Sequence, residues 1–225
     1  MKIGRISVLL AGVPLLCAGI YFAALGGLAD AHYYNARTIL RDAEKANRLP
    51  EAADLASAQA SLLAARALEP ANPLFVEQSA RVHEMQALHL QQSDPAARAL
   101  LQQALGEFRS AALMRPGSPY AWSAIAALKL RLDNLDFEFY GSLERAALYG
   151  RWEPGVQVAL ADIGLATWRL LPRPAKQLVL GAVERGMLRQ GPEMRRIATR
   201  HGALERVCVE EITLRGKPSG LCVRN

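Results

Sequence analysis

The sequence has little of what builds β-sheets. Aromatic residues make up 6% of the 225 positions, and β-branched residues are sparse beside alanine, leucine, arginine and glutamine. Summed along the chain, the secondary-structure preferences of these residues favour helix over strand. Hydrophobic residues, at 51%, supply enough apolar surface for a sizeable core and exclude disorder over most of the chain. The sequence therefore predicts an all-α fold.

Recognisable catalytic motifs are also missing. The chain has no glycine-rich phosphate loop, no Gly-x-Ser-x-Gly elbow, no His-Glu-x-x-His pair and no Cys-x-x-Cys motif. His83 and His89 lie six positions apart, on different faces of a predicted helix, which argues against joint metal ligation. Glu210 and Glu211 are neighbours on a predicted strand and point to opposite faces. We therefore expect no enzymatic activity, metal or cofactor.

The net charge of +6 raises the question of nucleic-acid binding. The basic residues lack interleaved aromatics, and no known DNA-binding or RNA-binding motif is present. The sequence therefore predicts that nucleic acid is not a partner.

The N-terminus predicts a membrane anchor over residues 1–29. Lys2 and Arg5 precede an uncharged run of 24 residues, 6–29, which exceeds the roughly 20 residues needed to cross a bilayer as a helix. A cleavable signal peptide is the alternative, because Ala29-Asp30-Ala31 has the small-x-small form of a cleavage site. Signal peptides have apolar regions of roughly 7–15 residues, so the longer run favours an uncleaved anchor.

Orientation rests on two opposing signals. Four basic residues soon after the span outnumber the two before it, and the positive-inside rule alone would keep the following domain in the cytoplasm. A short basic tip before a single apolar run is typical of a signal anchor, and long domains translocate largely regardless of charge. We expect the domain to lie outside the cytoplasm.

Two cysteines, Cys208 and Cys222, lie beyond the anchor in short β-prone patches at 207–209 and 221–223. Residues 215–220 between them have the composition of a turn. A hairpin would bring the two sulfurs together, and the resulting disulfide would stabilise the fold by about 3 kcal/mol. Two ordinary buried thiols are the alternative. The prediction is a C-terminal tail, 204–225, with a disulfide-closed hairpin.

A helix–turn–helix pattern occurs twice within residues 30–203. Small and bulky residues at matched spacings precede two prolines 46 positions apart, and a second proline follows each after two residues. The matched positions are Ala58, Leu62, Ala65, Pro70 and Pro73, and then Ala104, Phe108, Ala111, Pro116 and Pro119.

These residues, with Pro119-Tyr120-Ala121-Trp122, resemble the tetratricopeptide repeat, a helical repeat of 34 residues. The period of 46 requires about 12 extra residues in one helix pair. We expect that pair to turn at Ser93-Asp94-Pro95. Strict spacing is lost beyond Trp122, where further helices are predicted to cap the stack. Their ranges are 136–149, 154–171, 174–189 and 192–201.

Two features predict a binding surface. The first feature is the set of aromatic residues at helix starts and turns. Among the tryptophans, we expect Trp122 and Trp168 to fill the core and Trp152, in a turn, to be exposed. Between Arg169 and Arg206, nine basic residues face three acidic ones, and their field would attract an acidic polysaccharide, anionic lipid or an acidic protein. An ordinary solubilising face is the alternative. The candidate partner surface comprises Tyr120, Arg151, Trp152, Arg189, Arg195 and Arg196.

Residues 113–171, about a quarter of the chain, resemble the VpsP-like family of bacterial polysaccharide-biosynthesis proteins. The resemblance is carried by residues 115–122, Arg-Pro-Gly-Ser-Pro-Tyr-Ala-Trp, and 150–154, Gly-Arg-Trp-Glu-Pro. It implies a single-pass bacterial inner-membrane protein whose C-terminal domain lies in the periplasm, beside the machinery that polymerises or exports exopolysaccharide. It implies no catalytic residues.

Three functional hypotheses follow. The first is a scaffold that binds other proteins of envelope polysaccharide assembly, and the second is a glycan-binding or chain-regulating module of the same system. The third is a general envelope scaffold for division or secretion. A peptide groove would present polar residues along repeated helix positions, whereas a glycan groove would present aromatic platforms.

Overall fold

The computed structural model describes residues 2–46, 48–215 and 221–222, and within these ranges every regular element is an α-helix. The predicted all-α fold is therefore confirmed. The helices are α1 (Lys2–Lys45), α2 (Ala52–Leu68), α3 (Pro73–Leu88), α4 (Pro95–Met114), α5 (Pro119–Arg131), α6 (Phe137–Tyr149), α7 (Pro154–Ala166), α8 (Arg173–Arg200) and α9 (Leu204–Arg215). They form two compact units, Met1–Ala97 and Arg98–Asn225, which we describe separately.

The first unit begins with the 44-residue helix α1, which Pro14 does not interrupt. The segment Val13–Lys45 contains an 18-residue window apolar enough to cross a membrane, and 6% of that window is buried. Large apolar side chains such as Leu15, Ile20 and Phe22 are exposed. These properties are compatible with a single membrane span.

The later part of α1 packs against α2. Ala29, Ala36 and Ala43 recur every seven residues and are buried, and such small side chains let a neighbouring helix approach closely. The Nδ2 of Asn35 donates to the Oγ of Ser61 at 2.9 Å. The apolar segment thus continues into the packed unit as one unbroken helix.

The two proline-marked turns are confirmed. Asn72 accepts a hydrogen bond from the backbone N–H of Leu74 at 3.1 Å, and Ser118 accepts one from Ala121 at 3.5 Å. Each of these caps precedes a proline at the first position of the next helix. The matched positions before each turn are buried: Ala58, Leu62, Ala65, Ala104, Phe108 and Ala111. The turn predicted at residues 93–95 is also present, with Asp94 Oδ1 accepting from Ala96 N at 2.8 Å.

In the second unit, α5 contacts α6 and α7, while α8 contacts α6 and α7. The start of α7 at Pro154 lies 35 positions after that of α5 at Pro119, and α8 starts 36 positions after α6. A regular spacing of helix starts is therefore present beyond Trp122, where the sequence pattern predicted its loss. Prolines or a capping residue mark these helix starts, whereas the side chains on the helix faces differ from one helix to the next.

The tail differs from prediction at several points. Helix α7 ends at Ala166, not at residue 171, and Trp168 is fully buried in the turn that follows. The two helices predicted at 174–189 and 192–201 form the single element α8, which is kinked at Gln190 (φ −136°, ψ 40°). Pro192 accounts for the kink, because it cannot donate a helical hydrogen bond and crowds the preceding turn.

The strand predicted at 207–209 is wrong, because these residues lie in α9. Val207 is fully buried in the core of the second unit, and this packing overrides the local β-propensity. The Cys208–Cys222 disulfide is present, with a Cα–Cα distance of 5.4 Å, so it joins a helix to a turn rather than two strands. Residues 216–220 of the predicted turn and Val223 lie outside the described residues.

Candidate functional site

A surface groove runs between α6 and the first half of α8. Its two adjoining depressions, of about 440 and 310 Å³, share Glu144, Gln177 and Leu178. Phe137 and Pro174 line one end, and Leu148, Arg151 and Arg185 line the other. The N-terminal parts of the two helices meet at the same end, so α6 and α8 run in the same direction.

The α6 wall is a single helical stripe. Phe137, Tyr140, Glu144 and Leu148 are spaced by three or four residues, which places them on one face of α6, and Arg151 lies in the turn that follows. Phe137 is 91% exposed and Leu148 is 67% exposed. Large apolar side chains clustered on a surface are typical of sites that bind a partner.

The groove carries a positively charged end. The guanidinium of Arg185 lies along the groove floor, because a Cβ placed on Gly181 would be 3.2 Å from its Nη1. Arg151 is exposed, and its Cζ lies 5.5 Å from the ring centre of Trp152, which is 70% exposed. Arg151 and Arg185 therefore line the groove at this end, and the Trp152 ring lies beside Arg151.

A charge cluster joins α4, α5 and the start of α6. Lys129, 1% exposed, donates from Nζ to Asp136 Oδ2 and Glu138 Oε2, both at 2.7 Å. Arg109 holds both oxygens of Glu138, with its Nε 2.7 Å from Oε1 and its Nη2 2.5 Å from Oε2. Asp136 also caps α6 through the backbone N–H groups of Glu138 and Phe139. This cluster fixes the end of the groove at Phe137.

The cluster alters the ionisation of its members. Hydrogen bonds from Arg109 and then Lys129 lower the pKa of Glu138 to about 2, although burial acts in the opposite direction. The ammonium of Lys129 is the main cause that lowers the pKa of Asp136. Hydrogen bonding to Glu138 raises the pKa of Arg109. Asp136 and Glu138 are therefore ionised, and Arg109 is protonated, at neutral pH.

The sequence-predicted surface is divided between two places. Arg151 lines the groove and Trp152 lies beside Arg151, whereas Arg189, Arg195 and Arg196 are exposed in the last part of α8, where Arg196 pairs with Glu193. The hydroxyl of Tyr120 donates to Glu153 Oε2 at 2.6 Å, and its ring packs on the core. We therefore assign Tyr120 a structural role.

The tryptophans follow the predicted division. Trp168 is fully buried and Trp152 is exposed. Trp122 packs against the core, with its Nε1 donating to the Pro116 carbonyl at 2.7 Å and the Cζ of Arg145 4.6 Å from the ring centre. Trp152 is thus the tryptophan available to a ligand.

The residues considered for chemistry have structural contacts. His83 is buried, and a ring nitrogen of His89 lies 2.7 Å from the Pro50 carbonyl oxygen. Glu210 lies on α9 and accepts from Lys176 Nζ at 2.6 Å, so its predicted place on a strand is wrong. Across the part of the chain that the structure describes, no group of three or more His, Cys, Asp or Glu residues could hold a metal ion.

Sequence reasoning missed the groove because its two walls lie about 35 positions apart. The periodic stripe on α6 was visible in the sequence, but nothing local indicated that α8 would leave it uncovered. Comparisons of the chain with protein-family models, curated proteins and solved structures give no match. The geometry of the groove therefore carries the functional argument.

Proposed function

We propose that the protein is a membrane-anchored periplasmic scaffold of an exopolysaccharide biosynthesis or export system, and that it binds a partner protein in the groove between α6 and α8. The groove is the single observation that carries the proposed binding of a partner protein. Its apolar floor and parallel walls suit an amphipathic helix, which would bury apolar residues at three- and four-residue spacing.

Charge complementarity narrows the chemistry of that partner helix. Arg151 is exposed at one end of the groove, so an acidic residue beside the partner's apolar stripe would meet it there. Such pairs set register and orientation, whereas burial of Phe137 and Leu148 supplies most of the affinity.

Three observations support the cellular context. The resemblance of residues 113–171 to the VpsP-like family suggests polysaccharide assembly and covers α5 to α7. The disulfide is typical of an oxidising compartment such as the periplasm. The spacing of helix starts, 35 and 36 residues, is close to the tetratricopeptide period and fits a helical module for binding proteins.

A pair of variants tests the groove. Phe137→Glu combined with Leu148→Glu places charge on the α6 wall of the groove, and Leu188→Glu is the matched control, since Leu188 is an 84% exposed leucine on α8 that does not line the groove. Each anchor residue buries apolar surface worth about 1.5–3 kcal/mol. We therefore expect the double variant to recover polymerase or export subunits from cross-linked membranes at least about tenfold less than wild type.

The experiment uses cells unable to make the polymer, so that a shared glycan cannot bridge the proteins. Equal recovery by the double variant and the Leu188→Glu control would reject the groove as the docking site. Recovery of division or secretion proteins in place of polysaccharide enzymes would reject the cellular assignment and favour the general envelope scaffold.

A glycan-binding module is the second candidate, and the exposed Trp152 ring beside Arg151 favours it. An exposed indole can stack on a sugar, and the neighbouring guanidinium would bind an acidic one. If this candidate is correct, Trp152→Ala abolishes retention of the purified chain on acidic polysaccharide. The scaffold proposal predicts unchanged retention.

A further inference from the structure

The turn between α2 and α3 is held at the end of the apolar segment of α1. Helices α1 and α2 are antiparallel: Gly26 lies opposite Glu69, and Asn35 lies opposite Ser61. A Cβ on Gly26 would be 3.0 Å from Glu69 Oε1. The C-terminal end of α2 therefore reaches back to residues inside the uncharged run.

The same end of the unit contains the start of α3. Ala29, Ala65 and Phe75 form one buried cluster, and Tyr33, Leu68 and Leu74 pack against it. Because α1 is continuous through these residues, the cluster fixes the level of the turn along the axis of α1. A flexible linker between the anchor and the folded unit is therefore absent from this described part of the chain.

The position of the bilayer follows from the charges on α1. Arg5 and Asp30 are the charged residues that bound the uncharged run, and residues 6–25 already number 20, enough to cross a hydrocarbon core of about 30 Å. Gly26 follows directly after these 20 residues. A span that starts at Ile6 therefore ends at the level of the α2–α3 turn.

We infer that the α2–α3 turn, residues 69–72, lies in the headgroup layer of the membrane and contacts lipid. The inference rests on the proposed membrane span and goes beyond it, by assigning a lipid-contacting surface outside the span. The turn suits this layer, since Pro70 and Ala71 are exposed and small, while Glu69 Oε2 accepts a hydrogen bond from Asn72 Nδ2 at 3.0 Å. The hydrated layer accommodates that carboxylate.

The opposite end of the unit points into water. Helix α2 has 17 residues, so its N-terminus is about 25 Å further along the axis of α1. A tilt of about 20° shortens this separation by only about 2 Å. The two ends of α2 therefore differ strongly in their distance from the lipid.

Spin labels on single cysteines measure this difference in the full chain, reconstituted in vesicles of phosphatidylethanolamine and phosphatidylglycerol. The native Cys17, which is free and exposed, reports the depth of the span. Ala71→Cys and Ala53→Cys, each combined with Cys17→Ser, replace exposed alanines at the two ends of α2. Cys208 and Cys222 are oxidised and do not react.

We expect the Cys17 label to collide with oxygen and to be shielded from an aqueous nickel chelate. The A71C label should show intermediate shielding, with nickel collisions at least about threefold below those of the A53C label, because a depth of about 5–10 Å into the interface already excludes a charged chelate. Equal nickel accessibility of A71C and A53C, with Cys17 buried in lipid, would overturn the inference and leave the span intact. A water-accessible Cys17 label would overturn both.

Discussion

Replacing Gly164 with alanine tests how closely α7 and α8 pack. A Cβ at this position would meet both methyl groups of Val179, with Cγ1 2.5 Å away and Cγ2 closer still. Ordinary contact begins at 3.4 Å, so the helices would have to separate by about 1 Å. Both residues are buried in the core that also contains Trp168, and the strain would therefore spread through the second unit.

Two opposing effects set the change in the free energy of unfolding that Gly164→Ala causes. Overpacking a core of this kind costs about 1–3 kcal/mol, and alanine gains up to about 1 kcal/mol over glycine inside a helix. We expect Gly164→Ala to lower the free energy of unfolding by about 1–2 kcal/mol. Gly106→Ala is the matched control, because nothing lies within 4 Å of a Cβ built on Gly106 in α4, and it should stabilise by up to about 1 kcal/mol.

Denaturant unfolding followed by tryptophan fluorescence is the appropriate assay. All three tryptophans lie in the second unit, so their emission follows that unit without a contribution from the first. A double-mutant cycle with Val179→Ala adds the decisive measurement, since removing the two methyl groups should restore space for the alanine. The double variant should be more stable, by about 0.5–3 kcal/mol, than the sum of the two single effects predicts. Strict additivity, or a Gly164→Ala variant as stable as Gly106→Ala, would refute the close packing.

Two further predictions concern the ionic cluster and the disulfide. The pKa of Glu138 is lowered to about 2 from its ordinary 4.5, so its stabilising effect is complete above about pH 4.5 and is lost as pH falls through about 2. In unfolding followed by fluorescence, Glu138→Gln should reduce the loss of stability that accompanies the fall from about pH 4.5 to about pH 2. An unchanged loss of stability would contradict the lowered pKa of Glu138. Replacing Cys208 and Cys222 by serine opens a loop of sequence separation 14 and should cost about 3 kcal/mol; a variant as stable as wild type would show that Leu221 is held in the core without the bond.

Much of the local structure could be predicted from single positions. Pro73 and Pro119 mark helix starts, because proline lacks the N–H that a helix leaves unpaired there and its φ is already helical. Asn72, Ser118 and Asp136 cap helices through side-chain oxygens. The apolar N-terminal segment was equally visible, since 24 uncharged residues in a row are read directly from the sequence.

Other features depended on residues far apart in sequence. Residues 207–209 have β-propensity, but they lie in a helix, and Val207 is buried in the core that also contains Leu221. The cluster of Arg109, Lys129 and Glu138 needs three helices to converge. No local pattern reports such a convergence.

The sequence by itself determined where most helices begin, which segment is apolar enough to cross a membrane, and which cysteines could pair. These properties depend on backbone restrictions and on composition, which act within a few residues of the chain. The tertiary structure alone decided that the walls of α6 and α8 leave a groove, that the α2–α3 turn reaches the end of the apolar segment, and that Gly164 meets Val179. Each depends on the packing of helices, where the fit between surfaces, rather than the preference of any one residue, sets the free energy.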